Sequence, residues 1–299
     1  MFEGFADRMI DAGGDIRIRA RIGGDGQPVL LLHGYPQTHA CWHAVAPRLV
    51  AAGFTVVATD LRGYGDSAKP MSEADHATYA KRAMAKDQVA VMRALGSPRF
   101  AVAGHDRGAR VAHRMALDYP QSLTRIALLD IAPTATMYAK TDMDFATAYY
   151  HWFFLIQSAP LPERLIGADP EFYLRTKLSA WSQGRENFFA PEAVAEYLRC
   201  FSGPVAIAAT CEDYRAGATI DLAHDAADAD RRIEAPLLVL WGERGVVGRT
   251  YDVLATWREK ARDVRGHALP TGHYLPEEAP EATAEALAEF FRQPPEASA

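Results

Sequence analysis

Cysteine is scarce in this chain. Three residues in 299, Cys41, Cys200 and Cys211, form an odd set with no CxxC spacing. That speaks against a disulfide framework or a zinc site and fits reduced thiols in a cytoplasmic protein. An excess of positive charge is also missing: 38 acidic side chains against 32 Lys and Arg leave a formal charge of −6. Binders of nucleic acid or anionic membranes carry the opposite footprint. No run reaches the roughly eighteen apolar residues of a bilayer span. The opening Met1-Phe2-Glu3-Gly4-Phe5-Ala6-Asp7 has acids where a secretory signal has basic residues. What is present is an ordinary globular composition, 49% hydrophobic and 23% charged, enough for one large domain or a core with an insertion.

Short apolar runs alternate with longer amphipathic stretches, as in a mostly parallel α/β sheet. Ile16, Ile18, Ala20 and Ile22 alternate with polar residues and predict a half-exposed edge strand. Val29–Leu32, Phe54–Ala58, Phe100–Ala103, Ile126–Leu129 and Leu237–Gly242 are continuous and predict strands buried on both faces. Helices are expected over Trp42–Ala52, Tyr79–Leu95, Ala109–Leu117, Thr250–Ala261 and Glu281–Phe291. Between Pro133 and Arg231 the rhythm stops. That stretch reads as helices separated by prolines, and half of the chain's aromatic residues lie from Tyr138 to Tyr214. The expected division is an α/β core over 1–132 and 232–299, with a helical lid over 133–231 at the carboxyl ends of the strands.

Gly104-His105-Asp106-Arg107-Gly108 follows one of these strands and precedes a helix. This is the small-x-nucleophile-x-small elbow, in which glycines relieve crowding around a strained nucleophile. His33-Gly34-Tyr35-Pro36, after an earlier buried strand, matches the loop that gives a backbone N–H to the oxyanion hole, the second coming from Arg107. Asp106 in place of serine changes the chemistry. A carboxylate is already an anion at neutral pH and can displace a leaving group from saturated carbon, leaving an alkyl ester. A base is needed only afterwards, to activate water. His273, in Thr271-Gly272-His273, is the best placed of ten histidines, whereas His267 lies within a strand pattern. The segment after Trp241-Gly242 has no aspartate, so the orienting acid is assigned to Asp130 at the end of the Ile126–Leu129 strand, with Glu243 as the alternative. The triad is Asp106, His273 and Asp130.

Arg107 and Arg110 fall in the first turn of the elbow helix, where the macrodipole disfavours cations. An anionic substrate resolves the conflict, because two guanidinium forks and helix N–H groups clamp a carboxylate. Pairing of one arginine with a nearby acid is the other explanation, and Arg114 reads as structural. His151, Trp152 and Tyr214 could supply donors to a departing group from the lid, although each alone is more often core than ligand.

Together these residues resemble the fluoroacetate (haloacetate) dehalogenases of the α/β-hydrolase superfamily, over nearly the whole chain. The resemblance runs from Leu31-Leu32-His33-Gly34-Tyr35-Pro36 to Gly272-His273-Tyr274-Leu275-Pro276, and its most specific piece is Gly104-His105-Asp106-Arg107-Gly108-Ala109-Arg110. It implies an α/β-hydrolase fold, a mostly parallel sheet flanked by helices with a helical cap inserted after the strand ending at Asp130. It implies Asp106 as nucleophile, Arg107 and Arg110 on the substrate carboxylate, and His151, Trp152 and Tyr214 around the halide. Trp181 would be a pocket-shaping lid residue. Tyr35 stands where the family has phenylalanine, adding a hydroxyl near the oxyanion loop. The resemblance implies a small haloacetate as substrate, a homodimer, and no metal or cofactor. Two alternatives stay open. An epoxide hydrolase would use the same aspartate with lid tyrosines drawn from Tyr149, Tyr150 and Tyr214, and a binding protein would hold a small carboxylate without turnover.

Overall fold

The computed structural model describes residues 1–293, so the last part of the expected 232–299 segment lies outside the described residues. Eight strands form one sheet: β1 (Ala6–Asp11), β2 (Arg17–Gly23), β3 (Gln27–Leu32), β4 (Phe54–Thr59), β5 (Phe100–His105), β6 (Leu123–Leu129), β7 (Leu237–Gly242) and β8 (Val264–Leu269). Their spatial order is β1-β2-β4-β3-β5-β6-β7-β8. The two pairings that involve β2 are antiparallel and the remainder are parallel.

Val29–Leu32 and the apolar residues of β5 are sealed from solvent, which is why these strands read as unbroken hydrophobic runs. Truncating one such leucine to alanine costs about 2–5 kcal/mol. The expectation that the Ile16–Ile22 segment forms the sheet edge is corrected: β2 pairs on both sides, and β1 is the outer strand. Only Ile10 of β1 is buried, so its sequence lacks the alternation that would have revealed it.

Helices α1 (Ala46–Ala51), α2 (Lys81–Ala94) and α3 (Arg107–Asp118) link the early strands. The helix expected over Trp42–Ala52 is shorter, preceded by a 3₁₀ turn at His39–Trp42. Between β6 and β7 come eight helices: α4 (Thr134–Ala139), α5 (Met143–Ala148), α6 (His151–Leu155), α7 (Leu161–Ala168), α8 (Pro170–Trp181), α9 (Pro191–Phe201), α10 (Pro204–Ala218) and α11 (Ile220–Ala227). Prolines in their first turns start several of them, since the missing N–H costs nothing there. Farther on, α12 (Val246–Thr250) and α13 (Val253–Arg258) replace the single helix expected over Thr250–Ala261, because Asp252 caps a new start by accepting from Ala255 N–H. The chain continues through α14 (Leu275–Glu278) and α15 (Pro280–Arg292). Among the described residues no helix is long and apolar enough to cross a membrane.

Candidate active site

Asp106 follows β5, Asp130 follows β6, His33 follows β3, and His273 sits on the loop after β8. Parallel strands point their carboxyl ends the same way, so these residues collect at one edge of the sheet. Asp106 caps α3 with φ +47° and ψ −112°, a conformation that its surroundings must enforce. The flanking glycines make the turn possible. A Cβ on Gly104 would lie 2.5 Å from Gly108 O, and one on Gly108 would lie 2.5 Å from His33 O.

Tyr35 N–H donates to Asp106 Oδ1 at 3.0 Å. The loop that carries it is held by His33, whose Nε2 accepts from Leu61 N–H at 3.0 Å, leaving Nδ1 to donate to Gly34 O at 2.9 Å. Burial opposes ionisation of Asp106, but His273, Arg110, His105 and Arg107 outweigh it and keep its pKa below the ordinary carboxylate value. His273 Nδ1 lies 2.6 Å from Asp130 Oδ2, while Asp130 Oδ1 accepts from Gly242 N–H at 2.9 Å. Burial disfavours the imidazolium of His273, yet the bond to Asp130 and the charges of Asp130 and Asp106 push its pKa above its usual value. His105 Nε2 and the His273 carbonyl are 2.8 Å apart, which anchors the backbone of this loop. The alternative acid, Glu243, faces solvent, and His267 is exposed on β8.

The two arginines differ. Arg107 donates through Nε and Nη2 to the Asp213 carboxylate and through Nη2 to its carbonyl, each at 2.8 Å. Asp213 also accepts from Tyr64 Oη at 2.6 Å and from Lys81 Nζ. The acid that satisfies Arg107 is the neighbour of Tyr214 on α10; its place in the sequence carried no signal, because 106 residues separate the pair. Arg110 instead donates to Ala132 O at 3.1 Å and Thr134 Oγ1 at 2.9 Å, and has no carboxylate partner among the described residues. Its guanidinium stacks 4.7 Å above the Trp152 ring, and that of Arg107 lies 4.2 Å above Tyr214. Arg114 pairs with Asp118 and Asp228 away from this edge, a structural role.

His151, Trp152 and Tyr214 are brought together from α6 and α10. The His151 ring lies 5.5 Å from that of Tyr214, and the Trp152 ring 6.4 Å. Trp181 stands 4.5 Å from His151 and 5.5 Å from His273, and Tyr35 stacks on His151 at 6.0 Å. Burial and then the positive charges of Lys177, His273, Arg107 and Arg110 drive the His151 pKa far down, so its ring is neutral. His151 Nδ1, Tyr214 Oη and Tyr149 Oη are buried without a hydrogen-bond partner. Such groups cost about 1–3 kcal/mol each unless a ligand satisfies them.

Donor atoms of Asp66, Glu196 and Cys200 lie within 4.8 Å of one another, a spacing a metal could bridge. Arg19 and Arg199 already engage the two carboxylates, which makes the cluster an ion-pair network.

Comparison with known proteins places the chain among α/β hydrolases. The alpha/beta hydrolase fold family matches residues 27–280. A fluoroacetate dehalogenase from Burkholderia sp is 46% identical over 291 residues, 97% of this chain and 95% of that protein. A soluble epoxide hydrolase from Corynebacterium sp. (strain C12) is 35% identical over 271 residues, 90% of this chain and 91% of that protein. The crystal structure of ALR0039 from Nostoc sp PCC 7120 superposes with a TM-score of 0.96 at 60% identity, covering 98% of this chain and all of that one (100%).

Proposed function

The chain belongs to the haloacetate dehalogenase family of the α/β-hydrolase superfamily, and from that premise we propose that it converts haloacetates, fluoroacetate among them, to glycolate and halide. It is a hydrolase of carbon–halide bonds; the substrate and the steps below are our reading. The observation that carries the reading is the presence in one buried site of Asp106, whose Oδ1 is held by Tyr35 N–H, and Arg110, a buried cation bonded to no carboxylate among the described residues.

Arg110 would take the substrate carboxylate, and Arg107, its charge largely met by Asp213, would contribute through its remaining Nη1. With Oδ1 held, Asp106 Oδ2 is left to attack the α-carbon. A C–O bond forms, the C–X bond breaks, and the halide departs with the electron pair. His151, Trp152 and Tyr214 donate to the leaving ion. Their value is greatest for fluoride, whose charge is compact and localised. Helices over 133–231 then act as a lid that keeps bulk water from the reacting carbon.

Ester formation removes the negative charge of Asp106, and with it one of the influences that raise the His273 pKa. His273, oriented by Asp130, deprotonates a water that attacks Asp106 Cγ. Negative charge develops on Oδ1, which Tyr35 N–H already faces and which the N–H of Arg107 would also stabilise. Collapse breaks the ester bond, the glycolate oxygen takes the proton from His273, and Asp106, left as the carboxylic acid, reionises by releasing the second proton of the water to solvent.

Halide-selective detection with fluoroacetate and chloroacetate, run beside styrene oxide hydrolysis, tests the assignment. Halide release is the expected result. Diol formation without halide would transfer the site to epoxide hydrolysis, a reading favoured by the unpartnered hydroxyls of Tyr149 and Tyr214. Binding of haloacetate with neither product would make the protein a carboxylate receptor.

A further inference from the structure

Several buried cations among the described residues are met by acids. Lys81 pairs with Asp213 and Asp221, Arg114 with Asp118 and Asp228, and Arg215 with Glu163 and Glu212. Arg110 stands apart because the proposed substrate carboxylate completes it. Lys177, on α8, is 1% exposed, and no carboxylate lies within ion-pair distance of it among the described residues.

An aromatic cage surrounds its ammonium instead. Nζ lies 3.6 Å from the ring centre of Tyr150, 5.3 Å from Tyr173 and 5.7 Å from Trp181. Ring faces attract a cation but accept none of its three N–H bonds in the way an anion does. Burial accordingly pushes the Lys177 ammonium down to about 7. The rings also locate it. Tyr150 is 45% exposed and immediately precedes His151, while Trp181 packs 4.5 Å from the His151 ring. One side of the cage meets solvent and the other meets the buried site.

We propose that Lys177 is a transit site for small monocarboxylates, binding the anion between solvent at Tyr150 and the pocket at His151; this rests on the haloacetate reading of that pocket. The ionisable groups around it are Tyr150, Tyr173, the neutral His151, and Tyr274, whose hydroxyl donates to the Lys177 carbonyl at 3.2 Å. None carries negative charge at neutral pH, so an incoming carboxylate meets no competitor for the ammonium. A buried cation set between solvent and a pocket raises the local anion concentration and hence the association rate. As a purely structural element, lysine is a poor choice here, because methionine fills similar space without a buried charge.

Acetate, which has the substrate carboxylate and no leaving group, is the probe. Its association with the whole protein is followed by stopped-flow tryptophan fluorescence, which Trp152 and Trp181 make sensitive to the pocket. We expect Lys177→Met to slow association about tenfold and flatten its dependence on salt. Lys177→Arg should keep most of the rate, and Lys177→Met should melt no lower than wild type. Equal association rates for wild type and K177M would overturn the inference, as would an arginine variant as slow as the methionine one. If acetate binding depends on Lys177 while no haloacetate releases halide, the transit site stands and the dehalogenase reading falls.

Discussion

Asp213 receives three hydrogen bonds from Arg107, each 2.8 Å long, and so ties the first turn of the elbow helix to the helix that carries Tyr214. Arg110, three residues further along α3, has no such acid among the described residues. The pair of arginines that looks equivalent in sequence is therefore divided: one is bonded to an acid of α10 and the other is bonded to none.

That division has separable consequences. Replacing Arg107 by Met breaks a buried, multiply bonded pair and should cost about 3–5 kcal/mol of stability. Replacing Arg110 by Met removes an uncompensated buried charge and should leave the melting temperature level or higher. Its cost falls on catalysis, with kcat/KM for haloacetate down on the order of 10²-fold, from loss of charge-assisted bonds worth about 1.5–3 kcal/mol each. Denaturant melts and steady-state kinetics on both variants measure the contrast; equal stability losses would contradict it.

The raised pKa of His273 fixes the sign of a pH effect. In the ester the bond to Asp130 still favours the imidazolium, so on the acid side the imidazole gains a proton and cannot act as a base, while Asp106 in the free enzyme, with its lowered pKa, stays ionised and still displaces halide. kcat should therefore decline on the acid side, and kcat/KM, set by alkylation, should not follow it. Rapid-quench assays at low pH, or with His273→Gln, are expected to give one equivalent of halide per enzyme and then stop. Mass spectrometry should then find Asp106 carrying a carboxymethyl ester. An acid limb of equal depth in both parameters would remove His273 from the second step.

Trp152 distinguishes between halides. Its replacement by Phe keeps a ring under Arg110 but removes the indole N–H. Because fluoride demands more from its donors than chloride, the loss in kcat/KM should be about tenfold greater for fluoroacetate, equivalent to roughly 1.4 kcal/mol. Fluoride and chloride electrodes provide the readout, and matched losses would take the halide role away from this residue.

Local sequence determined the alternation of buried strands and helices, the strained turn at Asp106, and the loop at Tyr35, because each depends on spacing within a few residues. Gly104 is dictated by a contact within the turn, with Gly108 O, whereas Gly108 is dictated by the end of β3 at Leu32 and His33, a tertiary contact. Asp130 and Glu243 each follow a buried strand, so an acid needing a partner was legible at both places, and the contact of Asp130 with His273 is what separates them. The outer strand β1 was hidden because one buried side chain leaves no pattern. Tertiary structure alone decided the partners: Asp213 for Arg107, His273 for Asp130 at 143 residues' separation, and, among the described residues, no acid for Lys177. A chain announces which side chains carry charge, but the desolvation that makes a charge costly, and the neighbour that relieves it, arise only when distant segments exclude water together.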